Sequence, residues 1–192
     1  MSRTATDRRA FTPADVVRVA ALVSLVVGTL TLGGIAGALF LLVLGGVSVP
    51  RALDLPAPLD VAYGASLIFA AWASQLEWYD AVDWLDLAVH LVCTGLIAAV
   101  AYLALVRWEL LPGTVATPPA RASAGVVVVT AGLGAIAAIL WEVGEWAGHT
   151  YLDEGIGVGY DDTVTDLAAG LLGALIAGLV LARRERRPEV RS

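Results

Sequence analysis

Apolar residues run along this chain in long blocks separated by short polar connections. A helix needs about 20 such residues to cross about 30 Å of hydrocarbon. Four blocks, 59–76, 85–106, 125–146 and 164–182, have that length. The first apolar region, 16–44, is longer. It is preceded by Thr12-Pro13-Ala14-Asp15, which offers an N-cap Thr, a Pro at the first helical position and an acid three residues on. Gly45-Gly46 supplies a stop. A continuous helix from Pro13 to Leu44 measures about 48 Å and projects its polar first turns beyond the lipid. A break near Gly33-Gly34 leaves two segments too short to cross unaided. The pattern therefore predicts five spans, with six as the alternative. The region also exceeds the 7–15 apolar residues of a secretory signal, so it reads as an uncleaved span.

The expected fold is an all-α, polytopic transmembrane helical bundle forming one integral membrane domain over 1–192. A polar tail occupies 1–12 and a basic, cytoplasmic tail 183–192. Composition agrees: 58% of the residues are hydrophobic and 16% charged, against about 45–50% and 25% in soluble domains. A single cysteine, Cys93, excludes a disulfide scaffold and reads as a small packing residue. The only dense basic run is the tail, so nucleic acid is not an expected partner and membrane lipids are. Small residues at four-residue spacing, Gly33 with Gly37 and Ala169 with Gly173 and Ala177, read as helix-packing faces.

Arginine distribution orients the chain. A cytoplasmic C-terminus in the inner (plasma) membrane places Arg51, Arg107, Arg121 and the five tail arginines inside. Five spans leave Arg3, Arg8, Arg9 and Arg18 outside; six bring all twelve arginines to one side. Both arrangements put the connections after Leu76 and after Trp146 on the outer side.

The net charge of -6 is unevenly spread. Eleven of the eighteen acids lie in three clusters: Glu77, Asp80, Asp83 and Asp86; Glu142 and Glu145; Asp153, Glu154, Asp161, Asp162 and Asp166. No arginine falls in 77–86 or 142–166, and all three clusters reach the outer face. Asp86 with His90, Glu142 with Glu145, and Asp162 with Asp166 each share one side of a helix. Three helices thus present five carboxylates and an imidazole to a shared cavity.

Asp83 and Thr163 each precede an acid by three positions, so helix capping also explains Asp86 and Asp166 without chemistry. Glu142 and Glu145 resist that explanation. They lie near the C-terminal end of an apolar helix, where the dipole disfavours negative charge and paired carboxylates repel. The chain has no Lys and no Arg nearby, so a metal ion or a shared proton is expected. Trp141 walls the site, and His149 reads as an interfacial residue. The glycines at 155, 157 and 159 read as a turn-rich outer loop, since no strand precedes them.

Trp84-Leu85-Asp86-Leu87-Ala88-Val89-His90, Leu140-Trp141-Glu142-Val143-Gly144-Glu145-Trp146 and Tyr160-Asp161-Asp162-Thr163-Val164-Thr165-Asp166-Leu167 resemble the YjdF-like family of uncharacterised bacterial inner-membrane proteins. The resemblance covers roughly 59–182. A looser likeness to VanZ-like membrane proteins lies in the Asp-x3-His pattern and the late Asp. The resemblance implies a multi-helix membrane protein and no established reaction. Gly170 and Gly173 occupy a stretch where family members often carry Asn or another small residue.

The residues themselves favour a metal-dependent hydrolase or transferase acting on a lipid or envelope substrate. Asp86, His90, Glu142, Glu145, Asp162 and Asp166 supply the ligands to Mg, Mn, Zn or Fe, with Glu142 and Glu145 as catalytic acid–base groups. The alternatives are a non-catalytic metal-binding assembly or sensing protein, and an ion- or proton-coupled transporter.

Overall fold

The computed structural model describes residues 12–111 and 119–185. Most of the N-terminal tail, residues 112–118 before α6 and the basic tail beyond residue 185 lie outside the described residues. Seven helices and no strand form the described fold: α1 (Pro13–Leu32), α2 (Gly34–Ala52), α3 (Ala57–Gln75), α4 (Trp78–Ala81), α5 (Leu85–Arg107), α6 (Pro119–Tyr151) and α7 (Tyr160–Glu185). Five of them, α1, α2, α5, α6 and α7, are long and apolar enough to cross a membrane. Leu30, Val128 and Leu140 turn large apolar surfaces outward, as lipid-facing positions do. The chain is a membrane-embedded helical bundle.

The number five is as expected, but its members differ. The first apolar region makes two helices, because Gly33 adopts φ +94°, a conformation that glycine tolerates and most side chains do not. Gly45-Gly46 is not a stop: α2 continues through both to Ala52. In hydrocarbon every backbone group needs an internal partner, so a helix persists through glycine. A Cβ on Gly46 would lie 3.1 Å from Leu67 of α3, so its small size serves close packing. The two segments therefore have 20 and 19 residues, enough for about 28–30 Å each.

The two helices form an antiparallel hairpin. Thr29 and Gly37 pack beside the turn, while Asp15 and Arg51 meet at the far end at 3.7 Å. Thr12 starts α1 as expected, with its N–H and hydroxyl donating to the Asp15 carboxylate at 2.7 and 2.9 Å. Gly37 is a packing glycine, as its spacing indicated; Gly33 is the turn.

α3, 19 residues long, packs on both arms of the hairpin and on α5. Phe40, Val43 and Val47 of α2 bury against Ala21 of α1 and Ala71 of α3, and the Trp72 indole donates to Ser24 at 2.9 Å. Arg18 donates twice to the buried Asp60 carboxylate, at 2.8 and 2.6 Å. That ion pair ties α1 to α3 at the end where Arg51 lies.

α5, α6 and α7 form a second three-helix group, joined to the first through α3 and α5. Its seam is made of small residues. Gly95 of α5 faces the Gly173 backbone of α7, and a Cβ on Gly173 would fall on the Leu91 carbonyl. Gly134 of α6 meets Ala174 and Ala98, and Gly178 meets Val127. Such approach gives dispersion contact that bulkier residues prevent. It also brings the first turns of α5 and α7 together with the last turns of α6.

Candidate functional site

Asp86 and His90 lie in the first two turns of α5, Glu142 and Glu145 toward the end of α6, and Asp162 and Asp166 in the first turns of α7. The Gly95–Gly173 contact sets α5 and α7 in register, so His90 and Asp166 come to the same level. The His90 Nε2 lies 3.5 Å from Asp86 Oδ1 and 3.8 Å from Asp166 Oδ2. One ligand-type atom from each of these three residues falls within a 4.8 Å group.

These separations are long for direct hydrogen bonds. They suit atoms arranged around an ion: bonds of about 2.1 Å in tetrahedral geometry place neighbouring ligands ~3.4 Å apart. Asp166 is 2% exposed, an expensive position for a carboxylate without a compensating partner.

Glu142 is also buried, 8% exposed, and its Oε1 has no hydrogen-bond partner among the described residues. Its charge is felt by both Glu145 and Asp166, so it belongs to the same cluster. Glu145 is half-buried, and Trp141 stands one turn before it on α6. Trp141 itself is exposed.

Asp162 is exposed. It lies in the first turn of α7 at the rim, where its charge acts on Asp86 and Asp166, but it does not join the three-residue group. Of the six expected residues, three converge, two flank them and one stays at the mouth.

Helix capping does not account for the convergent acids. The N-cap of α5 is Trp84, without a side-chain cap, rather than Asp83. α7 begins at Tyr160, so Thr163 lies inside the helix, its N–H donating to the Gly159 carbonyl at 2.9 Å. Asp86 still gains from the dipole in the first turn of α5. Asp166 lies beyond the first turn of α7, where that effect has faded.

Two further residues belong to this end of the bundle. His149 Nδ1 lies 2.7 Å from the Ile156 carbonyl and pins the α6–α7 loop; it is not in the cluster, in line with its sequence reading. Tyr79 of α4 was not singled out for the site. Glu77, in a left-handed conformation at φ 56°, turns the chain so that α4 folds back, and the Tyr79 hydroxyl donates to the Ala70 carbonyl at 3.1 Å. Burial first, and then the charges of Asp86, Glu145 and Asp166, push its phenol well above the usual range. No periodicity announces such a residue, since α4 is a single turn.

The floor of the site is apolar. Directly beneath it, Gly95, Ala98, Gly134, Ala138, Gly173 and Ala174 press the three helices together. Among the described residues the arginines lie at the opposite end: Arg18 and Arg51 beside Asp60 and Asp15, Arg107 at the end of α5, Arg121 at the start of α6, and Arg183 and Arg184 at the end of α7.

A bundle of long apolar helices with a carboxylate/His cluster at one end defines a polytopic membrane protein. The chain belongs to the family described as "Predicted membrane protein (DUF2238)", whose model matches residues 15–187; this is the YjdF-like family that its motifs resemble. The looser VanZ-like likeness has no counterpart in that match. No curated protein and no solved structure matches the chain.

Proposed function

We propose that Asp86, His90 and Asp166 hold a divalent cation, and that the protein uses it for hydrolysis or transfer on a lipid headgroup or another envelope molecule. The observation that carries this reading is the partnerless, buried Glu142 oxygen beside three clustered ligand groups. Several carboxylates with one imidazole suit Mg, Mn, Zn or Fe. A bound ion would supply an activated water or polarise a phosphoryl or carbonyl oxygen.

Glu142 is the general-base candidate, because its free oxygen leaves it able to accept a proton. Glu145, one turn further along α6, is the partner acid–base group, and Asp162 at the rim draws cations toward the cluster. The arginine-bearing end is cytoplasmic by the positive-inside rule, which puts the site at the outer face of the inner (plasma) membrane. Six helices then cross, with α3 among them, and both ends of the described chain lie inside.

A second reading, a structural ion in an assembly or sensing protein, is favoured by one feature: the cluster links α5 to α7 and would staple them. Transport is the weakest reading, because the small-residue floor closes the bundle beneath the acids.

The test is elemental analysis of purified protein beside Glu142→Ala and Asp166→Ala, together with turnover on envelope extracts. Stoichiometric metal lost in Asp166→Ala, with turnover lost in both variants, supports the enzyme. Metal whose removal unfolds the protein, without turnover, supports the structural reading. Metal-free protein with unchanged Mn2+ affinity in both variants overturns the site.

A further inference from the structure

We propose that the Tyr79 phenol donates a hydrogen bond to a phosphoryl oxygen of the substrate, which makes that substrate a phosphate ester. This rests on the cation reading above: one oxygen of the phosphoryl group sits on the cation and another meets the phenol.

Helix periodicity places the phenol beside the cluster. Tyr63 of α3 and Ala104 of α5 share one buried cluster, with Ile97 of α5 packed against it. Asp86 precedes Ala104 by eighteen residues, five full turns, and His90 precedes Ile97 by seven, about two turns. Both site residues therefore stand on the side of α5 that faces α3. On α3, Ala70 follows Tyr63 by seven residues, so it belongs to the face turned toward α5. The levels agree as well. Ser66 of α3 and Cys93 of α5 line one groove. One turn nearer the outer end stand Ala70 on α3 and, between Asp86 and His90, Val89 on α5. The Tyr79 hydroxyl, 3.1 Å from the Ala70 carbonyl oxygen, thus lies in the α3–α5 seam at the height of the cluster. The charges of Asp86, Glu145 and Asp166 reach it there.

The bond to Ala70 is easily exchanged. Ala70 lies inside α3, where the Ser74 N–H four residues on already supplies its carbonyl. Withdrawing the Tyr79 proton therefore leaves no backbone group without a partner. A hydroxyl rotates to suit its acceptor, so the proton swings to a guest while the phenol oxygen stays in place. Hydrogen bonds to ionised acceptors are roughly twice as strong as neutral ones, so a phosphoryl oxygen outcompetes the carbonyl. The ring itself is held: Phe69 packs against Trp78 of α4 with centroids 5.7 Å apart.

The rest of the site creates the need for such a donor. Residues 77–90 and 142–166 contain neither Arg nor Lys, and ionised carboxylates only accept. His90 is turned to Asp86 and Asp166, and His149 to the Ile156 carbonyl. An anion reaching the cation therefore meets carboxylates from three helices. Burial and those same carboxylates keep the phenol in its protonated, donating form. A carbonyl group has a single oxygen, which the cation takes; a phosphoryl group keeps a second one on the same centre for Tyr79.

The test is calorimetric titration of full-length, Mn2+-loaded protein in non-ionic detergent, beside Tyr79→Phe. The probes are inorganic phosphate, glycerol 3-phosphate, dioleoyl phosphatidate and, as the carboxylate control, acetate. The expected result is phosphate binding that requires Mn2+ and is weakened at least about tenfold by Tyr79→Phe, as loss of one charge-assisted hydrogen bond implies. Mn2+ affinity should be unchanged and acetate less affected. The same weakening with phosphatidate upholds the donor and names a lipid source; weakening confined to the chainless phosphates upholds it and names a soluble one. Lipid that only adheres to the helices depends on neither Mn2+ nor Tyr79. If Tyr79→Phe does not fold, Tyr79→3-fluorotyrosine takes its place: its 19F resonance in Mg2+-loaded protein should shift saturably with phosphate and stay fixed without Mg2+.

Equal phosphate affinity in both proteins, with a lower unfolding temperature for Tyr79→Phe, makes Tyr79 a latch between α3 and α4 and overturns the proposal. Phosphate binding indifferent to Mn2+, an equal loss for acetate, or a fixed 19F resonance does the same. Any of these in protein that binds Mn2+ leaves the cation reading standing. Absence of Mn2+ binding rejects both.

Discussion

His90 Nε2 stands 3.8 Å from Asp166 Oδ2, two residues far apart in the chain and brought together because Gly173 lets α7 lie against the Leu91 backbone of α5. The meeting of these two residues therefore depends on glycine packing further down the same helices.

That dependence gives a first prediction. Gly173→Leu should destabilise the bundle by about 1–3 kcal/mol or more, as overpacking does. On the proposed cation site, it should also weaken divalent-cation binding although none of Asp86, His90 and Asp166 is altered. Thermal unfolding in detergent and Mn2+ titration measure the two effects. Unchanged Mn2+ affinity in a folded Gly173→Leu protein would show that the helix contact does not set the cluster.

Altering a residue of the proposed cation site should act on binding. His90→Ala and Asp166→Asn are each expected to lower Mn2+ or Zn2+ affinity by at least about tenfold, given that outer-shell changes already cost 10–100-fold. Calorimetric titration with chelator-treated protein measures this. Asp162→Asn, altering an exposed residue at the rim, should change affinity less than either.

Glu142 separates stability from function. An unsatisfied buried polar group costs roughly 1–3 kcal/mol, so Glu142→Leu should raise the unfolding temperature of metal-free protein while abolishing turnover. A lower unfolding temperature would mean that the Glu142 carboxylate has a structural partner the reading omits.

At the other end, the partly buried Arg18 pairs with the buried Asp60, the closest N–O distance being 2.6 Å. Arg18→Ala leaves the Asp60 charge uncompensated and should cost about 3–5 kcal/mol. The double variant Arg18→Met with Asp60→Leu should recover most of that loss. Denaturation of the three proteins checks it; no recovery would place the importance of Arg18 elsewhere.

Topology offers an independent check. Reporters fused at the N-terminus and after residue 185 should both read as cytoplasmic, and one inserted after Leu152 as external. An external N-terminus would restore the odd-span arrangement.

Much of this protein was legible in its chain. Blocks of apolar residues at membrane length announced the helices, because hydrocarbon leaves backbone polar groups no partner outside a helix. The pairs Asp86 with His90 and Glu142 with Glu145 announced a site through helical spacing, and a missing positive charge near 142 and 145 marked the pair that needed explanation. The Thr12–Asp15 cap was readable for the same reason: it is local.

What lay beyond the sequence was set by contacts between helices. Gly33 turns the chain and Gly46 does not, although both belong to glycine pairs in an apolar run; the difference is that Gly46 packs under Leu67 while Gly33 takes a positive φ beside no neighbour. Asp162 and Asp166 share a face by spacing, yet only Asp166 is drawn inward, because Asp162 lies in the first turn of α7 at the rim. Tyr79 enters through a single turn with no pattern of its own. The sequence by itself determined the helices, their polarity and the chemical kind of the site, since each follows from periodicity and hydration along one chain. Which acids meet, which glycine bends and where α4 folds were decided only by tertiary packing, since those outcomes depend on what stands opposite.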